Sequence, residues 1–439
     1  MQKLLSAFPL FALVLTFSCG NTSTAINRPN VILIIIDALR ADHLSCYGYH
    51  RETSPSLDSL AAMGTRWENF QAQAPWTLPA TATIFTGLDA KQHGTGRRLD
   101  GDHRLHNEVP IIPTVFSSAG YRTCGLFNVA LLNENHGFAR GFDNYSCADF
   151  GGGRAAVTVD EFLQWLESSN DNRPFMAVIH FFDVHDPYNP PPPYDTMYFP
   201  DDTLTVSVWE IAAGGRVVHP EHLEHFLSRY DGSITWVDTQ LGRLFGELRM
   251  RGYSDSTIIM VTADHGEEFL EWGFIGHGGH LYQEVLHIPL FIAGPGIPAG
   301  EVIIEPAGQF DILPTLLSIC SIEDTTSFEG VDLFSMAAMD QRSIPASQLM
   351  FNGQVFDQTS LASVVFGNMK GLVTRRGNSD SYFMFNLQDD PNEQMPLEAD
   401  STLTELLDYY RATPMLWDPP LVQDLDSSST RALEDLGYI

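Results

Sequence analysis

Four side chains have the types that a divalent cation and a nucleophile need: Asp37, Thr77, Asp264 and His265. Asp37 closes the apolar run Asn30–Ile36, and Asp264-His265 follows the apolar run that starts at Thr257. Carboxylates and an imidazole at two strand ends, with a hydroxyl from a third place, suit a hard or borderline cation. Such a cation lowers the pKa of the hydroxyl, makes it a nucleophile near neutral pH and holds a developing oxyanion. Thr77 stands in the Pro-bracketed turn Ala74-Pro75-Trp76-Thr77-Leu78-Pro79, which leads into a helix with an apolar face. Taken singly, Asp37 also reads as a helix N-cap and Thr77 as an ordinary turn residue. His185, in the Pro-rich loop Asp183–Tyr194, and His277, in His277-Gly278-Gly279-His280, are further imidazoles that follow strand ends in sequence.

The elements that must position these residues alternate. Asn30–Ile36 is β-branched and Leu throughout, which predicts a central parallel strand buried on both faces. Strands are also predicted at Thr65–Ala72, Thr123–Val129, Phe175–Phe182, Thr257–Thr262 and Ile288–Ala293. Helices are predicted at Ser54–Gly64, Pro75–Leu88, Val109–Ala119, Val159–Leu166, Tyr230–Arg251 and Phe310–Leu317. That order predicts an α/β fold: a doubly wound, mixed or mostly parallel sheet flanked by helices, which binds ligands at the carboxyl ends of its strands. After Ser318 the pattern loosens, then resumes as strands near Gln348–Phe351, Ala362–Phe366, Lys370–Thr374 and Ser381–Asn386, a helix at Leu403–Tyr410 and an amphipathic segment at Ser429–Gly437. The expected organisation is residues 1–19 as an export signal, 20–27 as a linker, 28–335 as the catalytic α/β domain and 336–439 as a small α+β subdomain.

Composition narrows the classes. A formal net charge of −31, with Lys only at positions 3, 91 and 370, excludes a nucleic-acid-coating surface, because phosphate backbones need basic neutralisation. An anionic substrate then needs a locally positive pocket, most simply a bound metal. The run Leu4–Phe17 is shorter than the roughly 20 residues of a membrane helix, which favours a cleaved export signal. Cys19 sits in a setting similar to a bacterial lipoprotein box, so lipidation and simple secretion both stand, and the expected location is periplasmic, membrane-anchored through lipidated Cys19, or secreted. Cys46, Cys124, Cys147 and Cys320 can form two disulfides or remain four thiols.

The chain resembles the sulfatase family of the alkaline phosphatase superfamily across nearly all of its length after the leader. The matching text runs from Arg28-Pro29-Asn30-Val31 through Asp37-Ala38-Leu39-Arg40-Ala41-Asp42, then Thr77-Leu78-Pro79-Ala80, Thr86-Gly87-Leu88, His93-Gly94 and Gly120-Tyr121-Arg122-Thr123. It continues with His185-Asp186-Pro187-Tyr188, Asp264-His265-Gly266-Glu267, Gly276-His277-Gly278 and Asp390-Pro391-Asn392-Glu393. The resemblance implies that Asp37, Asp264 and His265 are metal ligands and that Thr77 is a nucleophile touching the same metal. It also implies a substrate-oxyanion contact at His277 and a pocket histidine at His185, which contacts the ester or protonates the leaving oxygen. His93 matches a structural-looking His-Gly, and His280 carries no assigned role.

Departures from the family's pattern bear on the reaction. Formylglycine sulfatases begin their signature with Cys or Ser, and Thr77 cannot be matured to formylglycine; Thr81 replaces the signature Arg and Ala38 the second Asp of the usual pair. Phe127-Asn128-Val129-Ala130 stands where many members have Gly-Lys-Trp-His, which leaves Asn128 as a neutral oxyanion donor. A formylglycine hydrate expels sulfate by collapsing to the aldehyde, whereas an ester on Thr must be released by attack at sulfur or phosphorus. Phosphoryl transfer is the easier course for a hydroxyl beside a divalent metal. The resemblance therefore implies an exported, metal-dependent hydrolase of sulfate or phosphate esters, with a phosphodiesterase or phosphotransferase acting on lipid or glycan headgroups as the alternative. A non-catalytic pseudoenzyme that binds anionic glycans is the reading from another class. The expected cofactor is one divalent ion: calcium suits the family's oxygen-rich site, while Ala38 and His265 tilt the set toward manganese, zinc or magnesium.

Overall fold

The structure is a computed structural model. It describes residues 28–98, 101–148, 154–168, 171–200, 220–323, 328–335, 342–347, 361–376, 379–398, 400–422 and 430–431. The expected signal at 1–19, Cys19, the linker 20–27, the strand near Gln348–Phe351 and most of Ser429–Gly437 lie outside the described residues.

The main sheet has eight strands: β1 (Asn30–Ile36), β2 (Thr65–Trp67), β3 (Arg122–Phe127), β4 (Asn144–Cys147), β5 (Phe175–Phe181), β6 (Thr257–Ala263), β7 (Leu290–Ala293) and β8 (Glu301–Ile303). Their order is β8-β2-β7-β6-β1-β5-β3-β4. β6, β1, β5, β3 and β4 are parallel neighbours, whereas β7 runs antiparallel to both β6 and β2. The sheet is therefore mostly parallel and mixed, as the alternating pattern predicts. β1 is central because its residues from Val31 to Ile36 are apolar and buried on both faces, between β5 and β6.

Among the described residues, six helices of seven or more residues flank the sheet or follow it closely: α1 (Pro55–Met63), α2 (Thr77–Thr86), α3 (Ile112–Ser118), α4 (Ala155–Glu167), α5 (Pro220–Met250) and α6 (Ile312–Ile319). The Ser54 hydroxyl does not cap α1; it bonds Asp58 at 3.0 Å. Asp238 of α5 takes over instead, accepting from the backbone N–H groups of Ser56 and Leu57 at 2.9 Å each. Those N–H groups have no partner within their own helix, so a carboxylate from α5 fixes α1 against it. α2 is buried along all ten residues and ends at Gly87, whose φ of 66° supplies the left-handed C-cap.

The predicted strand Thr65–Ala72 is broken in two, with Phe70–Gln71 pairing elsewhere. Cys46, Cys124, Cys147 and Cys320 are free thiols, so the two-disulfide alternative drops out.

The C-terminal region forms a separate antiparallel sheet, β9 (Ser343–Ser347), β10 (Leu361–Phe366), β11 (Met369–Arg376) and β12 (Ser379–Asn386), in sequence order. Helix α7 (Ser401–Ala412) buries Leu403, Leu407 and Tyr410 against it. Lys370 of β11 ties this sheet to the main body. Its ammonium lies 2.8 Å from Glu393 and donates to the Leu281 carbonyl at 2.6 Å, while Glu393 accepts from the Gln283 N–H at 2.6 Å. Both charged side chains are fully buried. Lys370→Met should therefore leave a buried, unpaired carboxylate and cost about 3–5 kcal/mol in urea unfolding. Adding Glu393→Met should recover most of that loss; equal stability of the single and double variants would show that the pair is not the tie.

Candidate metal and nucleophile site

Parallel register assembles the site. Ile36 pairs with Ala263, so the next residues, Asp37 and Asp264, emerge side by side at the carboxyl ends of β1 and β6. The Asp37 N–H donates to the Phe181 carbonyl at 2.9 Å, which aligns the end of β5 as well. Asp37, Asp264 and His265 are fully buried, and one ligand atom from each lies within 4.8 Å of the others.

Proton bookkeeping at His265 decides what can lie between them. Its Nδ1 is 2.8 Å from the Gly266 carbonyl, which only accepts, so Nδ1 carries the hydrogen and Nε2 presents a lone pair. That Nε2 faces Asp37 Oδ1 at 3.4 Å and Asp264 Oδ2 at 3.5 Å. Protonation of the ring does not relieve the contact, because burial pushes His265 down to about 3. Both Asp37 oxygens and Asp264 Oδ2 are buried without a hydrogen-bond partner. Three electron-pair donors thus converge with no hydrogen bond among them, and once the carboxyls are ionised this set fits a divalent cation. Ligand atoms bonded to one cation at about 2.1 Å and near-tetrahedral angles are about 3.4 Å apart.

The backbone around these groups is held tightly. Asp264 Oδ1 accepts from the N–H of His265 at 2.8 Å and of Ala38 at 3.2 Å, which leaves Oδ2 for the centre. Gln309 donates to the carbonyls of Asp264 and Ala263 at 2.6 and 3.1 Å. Ala38 adopts a left-handed φ of 58°, and the Tyr230 hydroxyl secures it by donating to the Ala38 carbonyl at 2.7 Å and accepting from the Arg40 N–H at 2.9 Å. A Cβ on Gly266 would lie 2.1 Å from the Glu284 carbonyl, so only glycine lets the strand carrying Asp264-His265 pass this close to residues 284–285.

Thr77 is the first residue of α2, and its Oγ1 lies 3.3 Å from His265 Nε2. The hydroxyl therefore reaches the same centre as the ligands, at a helix end whose free N–H groups favour developing negative charge.

The sulfatase family model matches residues 29–322. The chain belongs to the sulfatase family. An arylsulfatase of Clostridium perfringens is 26% identical over 454 aligned residues, spanning 88% of this chain and 93% of the relative. A protein solved with its substrate D-glucosamine-2-N,6-O-disulfate superimposes with a TM-score of 0.75 at 19% identity, covering 88% of this chain and 97% of the other. A phosphonate monoester hydrolase of Agrobacterium radiobacter does so with a TM-score of 0.70 at 21% identity, covering 88% and 94%. The family makes the protein a sulfatase-like ester hydrolase.

Within this family fold the other expected residues fall as follows. His277 packs its ring 4.2 Å from that of His265, and its Nδ1 is 2.9 Å from Glu267. His185 stands edge-on to His277 at 4.9 Å, with Nδ1 donating to the Asp186 carbonyl at 2.7 Å. Burial lowers His277 to about 3 and His185 well below the usual range, so both imidazoles are neutral. Asn128 is placed differently from the open donor that the sequence suggests. Its amide donates to the His180 carbonyl at 2.6 Å and to Thr158 at 3.1 Å, so both hydrogens already have acceptors. His93 bonds Thr83 in the second turn of α2, and His280 bonds Glu268.

Sequence reading passed over Glu267 and His180. Glu267 stands within the quoted Asp-His-Gly-Glu text, and burial lifts it to about 8. His180 interrupts the otherwise apolar Phe175–Phe182, and a polar residue in a strand buried on both faces is the signal that marks it.

Burial raises Asp264 from 3.8 to about 6 and Asp37 well above its ordinary value, with Asp37 adding repulsion on Asp264. A carboxyl raised in the fold stabilises it fully below the unfolded value and loses that contribution as pH climbs through the folded one. The buried neutral histidines act in the opposite sense, so the signal is the increment that a cation adds. Adding Mn²⁺ or Zn²⁺ to chelator-treated protein should raise the melting temperature little near pH 5 and progressively more up to about pH 7. An increment that does not change with pH would contradict this placement of the carboxylates.

Proposed function

We propose that this protein is an exported, metal-dependent sulfatase-family hydrolase whose nucleophile is Thr77 and whose better substrates are phosphate or phosphonate esters. The observation that carries the reading is the 3.3 Å approach of Thr77 Oγ1 to His265 Nε2, at the edge of the buried cluster of Asp37, Asp264 and His265. Asp37, Asp264, His265 and Thr77 would hold the divalent ion, which when bound acidifies the hydroxyl and neutralises charge on the ester. Two carboxylates, one imidazole nitrogen and one hydroxyl favour manganese, zinc or magnesium over calcium.

In the first step Thr77 Oγ1 attacks phosphorus, its proton departs, and the bond from phosphorus to the leaving oxygen breaks as that oxygen gains a proton. In the second step water attacks the same phosphorus, the bond to Oγ1 breaks, and Thr77 regains its hydroxyl. Each step releases one proton and consumes one, and the neutral imidazoles of His185 and His277 beside the centre are suited to carry it. The fold does not choose between sulfur and phosphorus, since it is shared with a protein solved on a sulfated sugar and with a phosphonate monoester hydrolase. The residue at position 77 supports phosphorus. Thr has no aldehyde to regenerate, so its ester must be hydrolysed directly, and that is easier at phosphorus. The sulfated-sugar complex of the structural relative supports a glycan as the alcohol part, and the apolar run Leu4–Phe17 ahead of Cys19 supports export with a lipid tether.

Purified protein loaded with Mn²⁺ or Zn²⁺ should hydrolyse aryl phosphate, phosphodiester or phosphonate esters with a higher kcat/KM than aryl sulfate. Thr77→Ala should lower that value by at least about a thousandfold. A clear preference for sulfate would sink the phosphoryl assignment, and undiminished rates in Thr77→Ala would remove Thr77 from the nucleophile's place.

A further inference from the structure

His180 is fully buried, and neither of its ring nitrogens has a hydrogen-bond partner among the described residues. A buried polar group left in this condition costs stability and calls for a cause. Register supplies the geometry. His180 pairs with Ile35, and paired residues of neighbouring strands point to the same face, so His180 lies on the face of Asp37 and one row beneath it. From there its Nε2 comes to 3.4 Å from Asp37 Oδ2, the oxygen that does not face His265, and that oxygen is equally without a partner. Asn128 pins the backbone of the same residue through its 2.6 Å bond to the His180 carbonyl.

We infer that His180 is the positioning residue of Asp37: on cation loading its Nε2–H closes onto Asp37 Oδ2 and holds Oδ1 toward the ion. His180 stands outside the group of side chains whose ligand atoms are all mutually within 4.8 Å, which separates it from the ligands themselves. Partners of this kind fix the orientation of a ligating group and sharpen metal affinity. The neighbouring residue 38 is alanine here and cannot share that task. The inference rests on the metal centre proposed above and extends it by one residue, giving Asn128 the supporting part of fixing the strand beneath.

The test is metal affinity, read by Co²⁺ titration of chelator-treated protein through the visible absorption of the bound ion, with wild type, His180→Leu and His180→Gln in parallel. The Leu variant should bind about 10- to 100-fold more weakly. The Gln variant, which keeps an N–H donor on a chain of similar reach, should recover most of that loss. Because His180 has no partner in the metal-free fold, the apo melting temperature of His180→Leu should stay level or rise, which a merely structural residue would not allow. Equal Co²⁺ affinity and equal absorption in wild type and His180→Leu would overturn the inference while leaving the centre intact. Absence of Co²⁺ binding by wild type would overturn the centre itself. A fall in apo stability equal to the fall in affinity, with no rescue by Gln, would assign His180 to packing.

Discussion

The structure depends on a contact that becomes repulsive once its two carboxyls are ionised. His265 Nδ1–H is committed to a carbonyl, so the lone pair of Nε2 points at the carboxylate oxygens of Asp37 and Asp264, all of them buried. With the carboxyls ionised this arrangement is repulsive, and burial leaves the repulsion poorly screened. A divalent cation turns the same convergence into a binding site. The surrounding devices make sense as means of holding it: Gln309 on the carbonyls of β6, Tyr230 on the left-handed Ala38, and Gly266 where a side chain would strike Glu284. Charge at the scale of the whole chain points the same way. A protein of net charge −31 attracts anionic esters only where a local positive centre overrides its own field.

Much of the scaffold was legible because a parallel sheet writes itself as uninterrupted apolar runs. Asn30–Ile36 is the predicted strand residue for residue, and β5 and β6 differ from their predicted bounds by a single terminal position. Short edge pieces were less legible, since Thr65–Ala72 divides at Glu68-Asn69 and only the tertiary partners reveal it. α5 begins ten residues before its predicted start, because Pro220–Arg229 is too polar to show a continuous apolar stripe.

The site was legible in its composition and obscure in its geometry. Asp37, Asp264, His265 and Thr77 are brought together as their chemistry suggests, yet the register that makes Asp37 the neighbour of Asp264 depends on β-pairing between segments 227 residues apart. Asn128 shows the converse. A side-chain amide after a strand reads as a donor awaiting a ligand, but in the fold its hydrogens are taken by the His180 carbonyl of β5 and the Thr158 hydroxyl of α4. His180 carries a sequence signal only as the one polar residue of Phe175–Phe181, and nothing in its neighbours Ile179 and Phe181 tells what its ring faces.

The central claim is that Thr77, activated at this centre, carries the transferred group during turnover. Rapid quenching of the metal-loaded protein in the presence of a fast aryl phosphate or phosphonate ester, followed by peptide mass mapping, examines that directly. The account predicts one phosphoryl-type adduct on Thr77, absent after chelation and absent from Thr77→Ala. Full turnover with no adduct at any time, or an adduct on another residue, would contradict it.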